Sequence, residues 1–366
     1  MKIAIVKLSA LGDIVHAMVA LQFIKAHAPE IRIDWIVEQR FAEILNNNPD
    51  IDNILTVNLK ALKTDKRGFF GQLKKILAFA DNNYDLVIDA QGLIKSAVIA
   101  KLLSPGRVCM LLASRELARR SPGRVCMPQS GTEPARRKKR IAGFDADSAR
   151  EKAAAWFYDV KVACAYETNT IDRNALILSS PLGFDITPQQ ILNKKPFLFF
   201  NNEDPQIYDF LLTDRRTIVL VIGSSWDSRN YPAEKFVNIA RALQQNCLAI
   251  WGSEQEKATA EWMAAQSELI KVSPKLDLNS LKALISKADL VIGNDTGPTH
   301  MAWGLNRPSI TIFGPTPVSR VYQTDINKVV KSASSVNPHK LNKQDYSIKD
   351  IDEQAIIGQA KRLLAL

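Results

Sequence analysis

Residues 288–300 read Ala288-Asp289-Leu290-Val291-Ile292-Gly293-Asn294-Asp295-Thr296-Gly297-Pro298-Thr299-His300. The apolar run Leu290-Val291-Ile292 has the composition of a strand buried on both faces of a parallel sheet. A helical stretch follows from Thr299 to Leu305, and Asn306-Arg307-Pro308 stops it. Between the two lies a tight polar loop at the point where a strand's C-terminal edge meets a helix N-terminus. The N–H groups of a first helical turn lack internal partners, and the helix dipole favours negative charge there. Gly297 permits close approach of a ligand to the backbone, and Pro298 gives up an N–H that the helix does not use. Two readings stand: a diphosphate cradle with Asp295 beside it for sugar hydroxyls, or a capped helix following a strand.

The same strand–loop–helix unit recurs in both directions from this stretch. Upstream, strands are predicted at 217–222, 248–251 and 269–272, with helices over 232–244, 254–266 and 278–287; downstream, Ser309 to Phe313 is a strand. A second series occupies the N-terminal half. Strands are expected at 2–7, 31–37, 54–57, 84–89 and 140–144, and helices at 13–28, 39–46, 71–82 and 93–103. This alternation implies α/β architecture with two Rossmann-like, doubly wound parallel sheets facing across a cleft. The expected division is 1–182 for the first domain, 183–350 for the second and 351–366 for a closing helix. A chain of 366 residues fits two such domains. No apolar run approaches the 18 residues of a membrane span, and no secretory signal is recognisable.

The net charge of +10 invites a nucleic-acid reading, but its distribution argues otherwise. From Ser104 to Arg140 there are ten Lys and Arg residues against Glu116 and Glu133, which is +8 of the +10. This segment also repeats itself: Ser104–Met110 (SPGRVCM) recurs as Ser121–Met127. Residues 104–139 therefore read as a duplicated or foreign insertion in a surface loop. The alternative is a basic arm that binds anionic lipid or nucleic acid. Cys109, Cys126, Cys164 and Cys247 have no metal-ligand spacing, the histidines show no ligand pairing, and no metal site is expected.

Three further loops lie at predicted strand ends. Lys7-Leu8-Ser9-Ala10-Leu11-Gly12-Asp13 lacks the G-x-G-x-x-G of a nicotinamide site but sets Asp13 at a helix start, as an N-cap, as a general base aimed into the cleft, or as both. Gly223-Ser224-Ser225-Trp226-Asp227-Ser228-Arg229 offers hydroxyls and a cation to diphosphate oxygens, or is a capped loop with a solvated arginine. Trp251-Gly252-Ser253-Glu254 ends in a carboxylate suited either to a ribose hydroxyl pair or to helix capping.

Taken together, these stretches resemble the ADP-heptose:lipopolysaccharide heptosyltransferases, glycosyltransferase family 9, of GT-B fold. The matching residues are Ser9–Asp13, Asp89-Ala90-Gln91-Gly92-Leu93-Ile94-Lys95-Ser96, Ser148-Ala149-Arg150-Glu151, Trp251–Glu254 and Asp295-Thr296-Gly297 with His300. The Asp89–Ser96 and Ser148–Glu151 stretches look like the heptosyltransferase I branch. The resemblance implies Asp13 as catalytic base. It implies a donor site of Ser224, Ser225, Thr296 and Gly297 at the diphosphate, with Arg229 where the family commonly has lysine. Glu254 would meet the ribose, Asp295 the heptose hydroxyls, and His300 belongs to the same motif. Lys60, Lys63, Lys66, Arg67 and Arg150 would meet an acidic acceptor. The implied partners are ADP-L-glycero-D-manno-heptose as donor and Kdo2-lipid A as acceptor, with no cofactor and no nucleic acid. The implied location is cytoplasmic, peripheral on the inner face of the inner membrane. A sister enzyme acting later in the core, of the heptosyltransferase II kind, would share the donor residues.

Overall fold

Runs such as Lys2–Val6 (KIAIV), Thr217–Val221 (TIVLV) and Ser309–Phe313 (SITIF) carry apolar, mostly β-branched side chains on both faces. Such runs are stable only where helices cover the sheet from both sides. The computed structural model, which describes residues 1–59, 66–104, 140–211 and 214–365, shows that arrangement twice. The first sheet contains β1 (Lys2–Val6), β2 (Arg32–Glu38), β3 (Asn53–Val57), β4 (Leu86–Asp89), β5 (Arg140–Phe144) and β6 (Val160–Val162). The second contains β7 (Thr217–Val221), β8 (Asn246–Ile250), β9 (Ile270–Val272), β10 (Leu290–Asn294), β11 (Ser309–Phe313) and β12 (Asn327–Lys331). Their orders are β3-β2-β1-β4-β5-β6 and β12-β11-β10-β7-β8-β9. These are the same winding, and every strand pairing among the described residues is parallel. Each sheet reverses its strand order once, between β1 and β4 and between β7 and β10. In open parallel sheets ligands lodge in the crevice at that reversal, beyond the strands' C-terminal ends.

Ten α-helices are described: α1 (Leu11–His27), α2 (Lys66–Phe79), α3 (Ile94–Leu103), α4 (Thr170–Ser179), α5 (Pro188–Leu192), α6 (Ala233–Leu243), α7 (Glu254–Gln266), α8 (Leu278–Lys287), α9 (Gly297–Gly304) and α10 (Glu353–Leu364). The apolar interior forms three clusters. One covers the outer face of the first sheet, and one the outer face of the second together with α10. The third is shared: Ile3, Ile5 and Trp35 of the first sheet, Ile14 and Met18 of α1, Val219 and Val221 of the second sheet and Met301 of α9 belong to one continuous core. The two sheets thus close on each other through a common apolar layer. Polar ties reinforce it, with buried Lys282 of α8 donating to the Glu43 and Asn46 carbonyls at 3.0 and 3.1 Å.

At the centre of that layer α1 and α9 meet at their N-termini. A Cβ on Gly12 would sit 2.6 Å from Cδ2 of His300, and one on Gly297 would sit 2.6 Å from Leu11. Glycine is required at both positions by proximity alone. Gly12→Val is therefore expected to destabilise the fold by about 1–3 kcal/mol through overpacking. Calorimetric melting measures this, and an unchanged transition would mean that the two helices do not pack as described.

The structure departs from the sequence-based expectations at several elements. Gln39–Leu45 is a 3-10 helix rather than an α-helix. Helix α2 begins at Lys66, five residues before the helix expected at 71–82. Strands β6 and β12 were not anticipated. Both are sheet edges, three and five residues long, with lysines interrupting the apolar pattern (VKV, NKVVK). The insertion expected at 104–139 lies outside the described residues after Ser104, as do Lys60 and Lys63. Among the described residues no helix is long and apolar enough to cross a membrane.

Candidate active site

The loops after β1, β7, β10 and β11 converge on the seam where α1 meets α9. Asp13 is at the third position of α1, not at the N-cap. Its Oδ2 accepts the N–H of the N-cap residue Ala10 at 3.3 Å. The loop before it is held by Gln91, whose Oε1 accepts the N–H groups of Leu8 and Ser9 at 3.0 and 3.2 Å. Gln91 is itself positioned by buried Asp89, whose Oδ1 accepts the Gln91 and Gly92 N–H groups while Oδ2 accepts Ser96 and Tyr158 hydroxyls. The Asp89–Ser96 stretch thus fixes the approach to Asp13 without lying at the seam itself.

Asp295 is 2% exposed and fully engaged. Its Oδ1 pairs with His300 Nε2 at 3.0 Å, and its Oδ2 accepts the Thr316 hydroxyl at 2.7 Å and an N–H of Arg229. Arg320 reaches both carboxylates, with Nη2 3.5 Å from Asp13 and Nε 3.9 Å from Asp295. Burial pushes the Asp13 carboxyl up, but Arg320, Lys7 and His16 act against it and hold it below its ordinary value. Burial likewise pushes Asp295 up, and the His300 hydrogen bond with Arg229 and Arg320 brings it well below. Both acids are therefore ionised at neutral pH. His16, its ring 4.5 Å from that of His300 and tilted to it by 56°, is held well below the usual imidazole value by burial and by His300, so it is neutral.

Two cavities open on this seam. The larger, about 850 Å³, is lined from the first sheet by Lys7, Gln91, Arg150 and Arg173 and from the second by Trp226 and Lys343. Its lining carries seven Lys and Arg residues against Asp13 and Asp147, which suits an anionic occupant. The smaller, about 360 Å³, is lined by Asp295, Thr296, Gly297 and His300 at the N-terminus of α9. Ala10, Asp13, Ser225, Arg229 and Arg320 line both, and so form the partition between them.

The structure thus brings Asp13, Ser225, Arg229, Asp295, Thr296, Gly297 and His300 together and puts Arg150 on the wall of the larger cavity. Ser224 turns its hydroxyl onto the Trp226 carbonyl at 2.7 Å and lines neither cavity. Glu254 stands exposed at the start of α7 and also lines neither. It is Glu256 that folds back, accepting the Gly252 N–H at 2.7 Å. Lys66 and Arg67 open α2, and their side chains are outside the described residues. Sequence reasoning missed Arg320, Thr316 and Lys7. All three belong to loops or strand ends at C-terminal sheet edges; for Thr316 and Arg320 the available signal was the position of β11 beside β10, and for Lys7 its place at the end of the first predicted strand. Among the described residues no three His, Cys, Asp or Glu side chains form a metal-binding group.

The sequence pattern of glycosyltransferase family 9 (heptosyltransferase) matches residues 134–349. The chain belongs to glycosyltransferase family 9. Heptosyltransferases agree with it over nearly its whole length. Lipopolysaccharide heptosyltransferase 1 of Campylobacter coli is 33% identical, covering 99% of both chains. The Escherichia coli K12 protein of the same name is 26% identical over 94% of this chain and 97% of its own. The E. coli heptosyltransferase WaaC, solved with ADP-2-deoxy-2-fluoro heptose, superposes with a TM-score of 0.72 at 22% identity and 99% coverage of each chain. That likeness confirms the GT-B fold of this heptosyltransferase. Membership makes the protein a glycosyltransferase of lipopolysaccharide core biosynthesis.

Proposed function

We propose that this heptosyltransferase moves L-glycero-D-manno-heptose from ADP-heptose to the inner Kdo of Kdo2-lipid A, with inversion and without a metal. The observation that carries the reading is the partition. Asp13 stands between a cationic cavity and a smaller one built on a helix N-terminus. The smaller cavity takes the nucleotide sugar, with its diphosphate at the amide groups of Thr296 and Gly297, the Ser225 hydroxyl and Arg229. Ser224 and Glu254 join this donor set, at the diphosphate and the ribose, if the α7 side of the cleft closes on the nucleotide. The larger cavity takes the carboxylates of the acceptor, met by Arg150. Lys60, Lys63, Lys66 and Arg67 serve the same acidic lipid at the inner face of the membrane.

Asp13 removes the proton of an acceptor hydroxyl as that oxygen bonds to the anomeric carbon. The bond from that carbon to the β-phosphate oxygen breaks, and ADP leaves with the electron pair. Because Arg320 and Lys7 keep Asp13 ionised, its proton-accepting form persists into mildly acidic solution. The charge growing on the diphosphate is met by donors already in place.

Incubation with ADP-heptose and Kdo2-lipid A, followed by product mass, tests the reading. One heptosyl unit is expected on this acceptor and none on a core that already bears its first heptose. Transfer to the second acceptor alone would place the protein with the heptosyltransferase II kind. In the same assay EDTA is expected to leave the rate unchanged. A rate abolished by the chelator and restored by magnesium would contradict the metal-free scheme.

A further inference from the structure

Arg320 is the one side chain among the described residues that is within 4.0 Å of both Asp13 and Asp295 as an ion-pair partner. It comes from the 3-10 turn Val318–Arg320 after β11, in the second sheet's half of the chain. Yet this turn is tied to the other half. Asn169 Nδ2 donates to the Val321 carbonyl at 2.9 Å, and the Tyr322 hydroxyl donates to Asp172 of α4. Arg320 is 27% exposed and lines both cavities, so it meets whatever fills either.

We propose that Arg320 is an interdomain positioning residue, which locks the Asp13 carboxylate in orientation only when the two halves are closed on each other. This rests on the reading of Asp13 as the base. A carboxylate at a helix start has free rotation about its side-chain bonds. The Ala10 N–H holds Oδ2, and Arg320 fixes Oδ1 from the opposite side. With both oxygens held from different halves of the chain, the face of the carboxylate presented to the larger cavity is set by domain closure. If the halves part, Arg320 withdraws with the second one, and Asp13 loses its strongest counter-charge. The base would then be competent only in the closed enzyme. The other groups facing Asp13 are Lys7 from the loop after β1, His16 along α1, and His300, Asp295 and Arg229 across the seam. Arg40 lines the smaller cavity. Of these, Lys7 is committed to Ala90 and Asn174 at 2.7 and 3.0 Å, and His16 is neutral, so neither replaces Arg320.

The test compares Arg320→Gln and Arg320→Lys with the wild type in kcat and kcat/KM across pH, with ADP binding followed by calorimetry. Arg320→Gln is expected to lower kcat on the order of 10²-fold, the effect of a misplaced reacting group. It should leave ADP affinity within a few-fold of wild type. Its acid limb is expected to move to higher pH, because burial then raises the Asp13 carboxyl with less opposition. Arg320→Lys, which keeps the charge but not the fork, should keep the limb near its wild-type position and recover part of kcat. In an Asp13→Ala background Arg320→Gln should cost almost nothing more. An Arg320→Gln profile that parallels wild type at every pH, at any height, or an equal loss with and without Asp13, would overturn the proposal. If Asp13→Ala itself kept full turnover, the base reading would fail instead.

Discussion

Asp13→Ala is expected to lose about 10²–10⁴-fold in turnover, the usual contribution of a positioned general base. ADP affinity should be unchanged, because the groups assigned to the diphosphate, Arg229 and the N-terminus of α9, do not depend on the Asp13 side chain. Asp13→Asn is the sharper variant. It preserves shape and an acceptor for the Ala10 N–H but cannot take a proton. Both variants should fold, since Asp13 is partly exposed and Arg320 retains Asp295 as a partner. Steady-state rates with calorimetric ADP binding measure the separation. Wild-type turnover in either variant would remove Asp13 from the chemistry. Equal loss of ADP binding would mean that Asp13 serves the donor site instead. For the wild type, the lowered carboxyl of Asp13 implies that the rate holds as pH falls toward the ordinary carboxylate range and is lost only below it.

The second large effect is on stability. Asp295→Ala leaves Arg229, 12% exposed, without its carboxylate and takes one partner from each of His300, Thr316 and Arg320. Removing one member of a buried ion pair costs about 3–5 kcal/mol, because the other charge remains desolvated. A domain of this size loses roughly 2–4 °C in melting temperature for each kcal/mol. Asp295→Asn, which can still accept from Thr316, should lose less. Asp295 has a folded-state pKa depressed below its ordinary 3.8. Its contribution to stability is therefore complete above that ordinary value and is lost as pH falls through the lower, folded-state value. The stability gap between wild type and Asp295→Ala should accordingly be constant at neutral pH and close in strong acid. A gap that persisted there would show that packing, not charge, is what Asp295 supplies.

Much of the architecture was legible because parallel strands buried on both faces announce themselves as apolar runs, as in Thr217–Val221 and Leu290–Ile292. Two edge strands, Val160–Val162 and Asn327–Lys331, were not seen, being short or lysine-rich, whereas the other two edges, Asn53–Val57 and Ile270–Val272, were. The start of α2 at Lys66 was missed because its first turn is basic and polar, which a periodicity reading takes for loop. Within the site, Asp13, Arg229 and Asp295 were visible as charged residues in loops that follow predicted strands. Arg320 was not, because nothing local in Pro317-Val318-Ser319-Arg320 marks it. Its role arises only from the side-by-side placement of β10 and β11 and from the docking of its turn on α4. Glu254 shows the opposite case. A carboxylate at a strand end was recognisable from the sequence, but not which of Glu254 and Glu256 the helix start would turn inward.

The central claim is spatial: Asp13 faces the sugar of a donor whose diphosphate rests on the N-terminus of α9. A crystal structure of the protein with a non-transferable ADP-heptose analogue tests it most directly. The diphosphate is predicted beside Arg229 and the Thr296–Gly297 amides. The anomeric carbon should then lie on the Asp13 side, with room for one acceptor oxygen at an attack distance of about 3–3.5 Å. A diphosphate bound away from α9, or an anomeric carbon turned from Asp13 with Asp295 between them, would contradict the account.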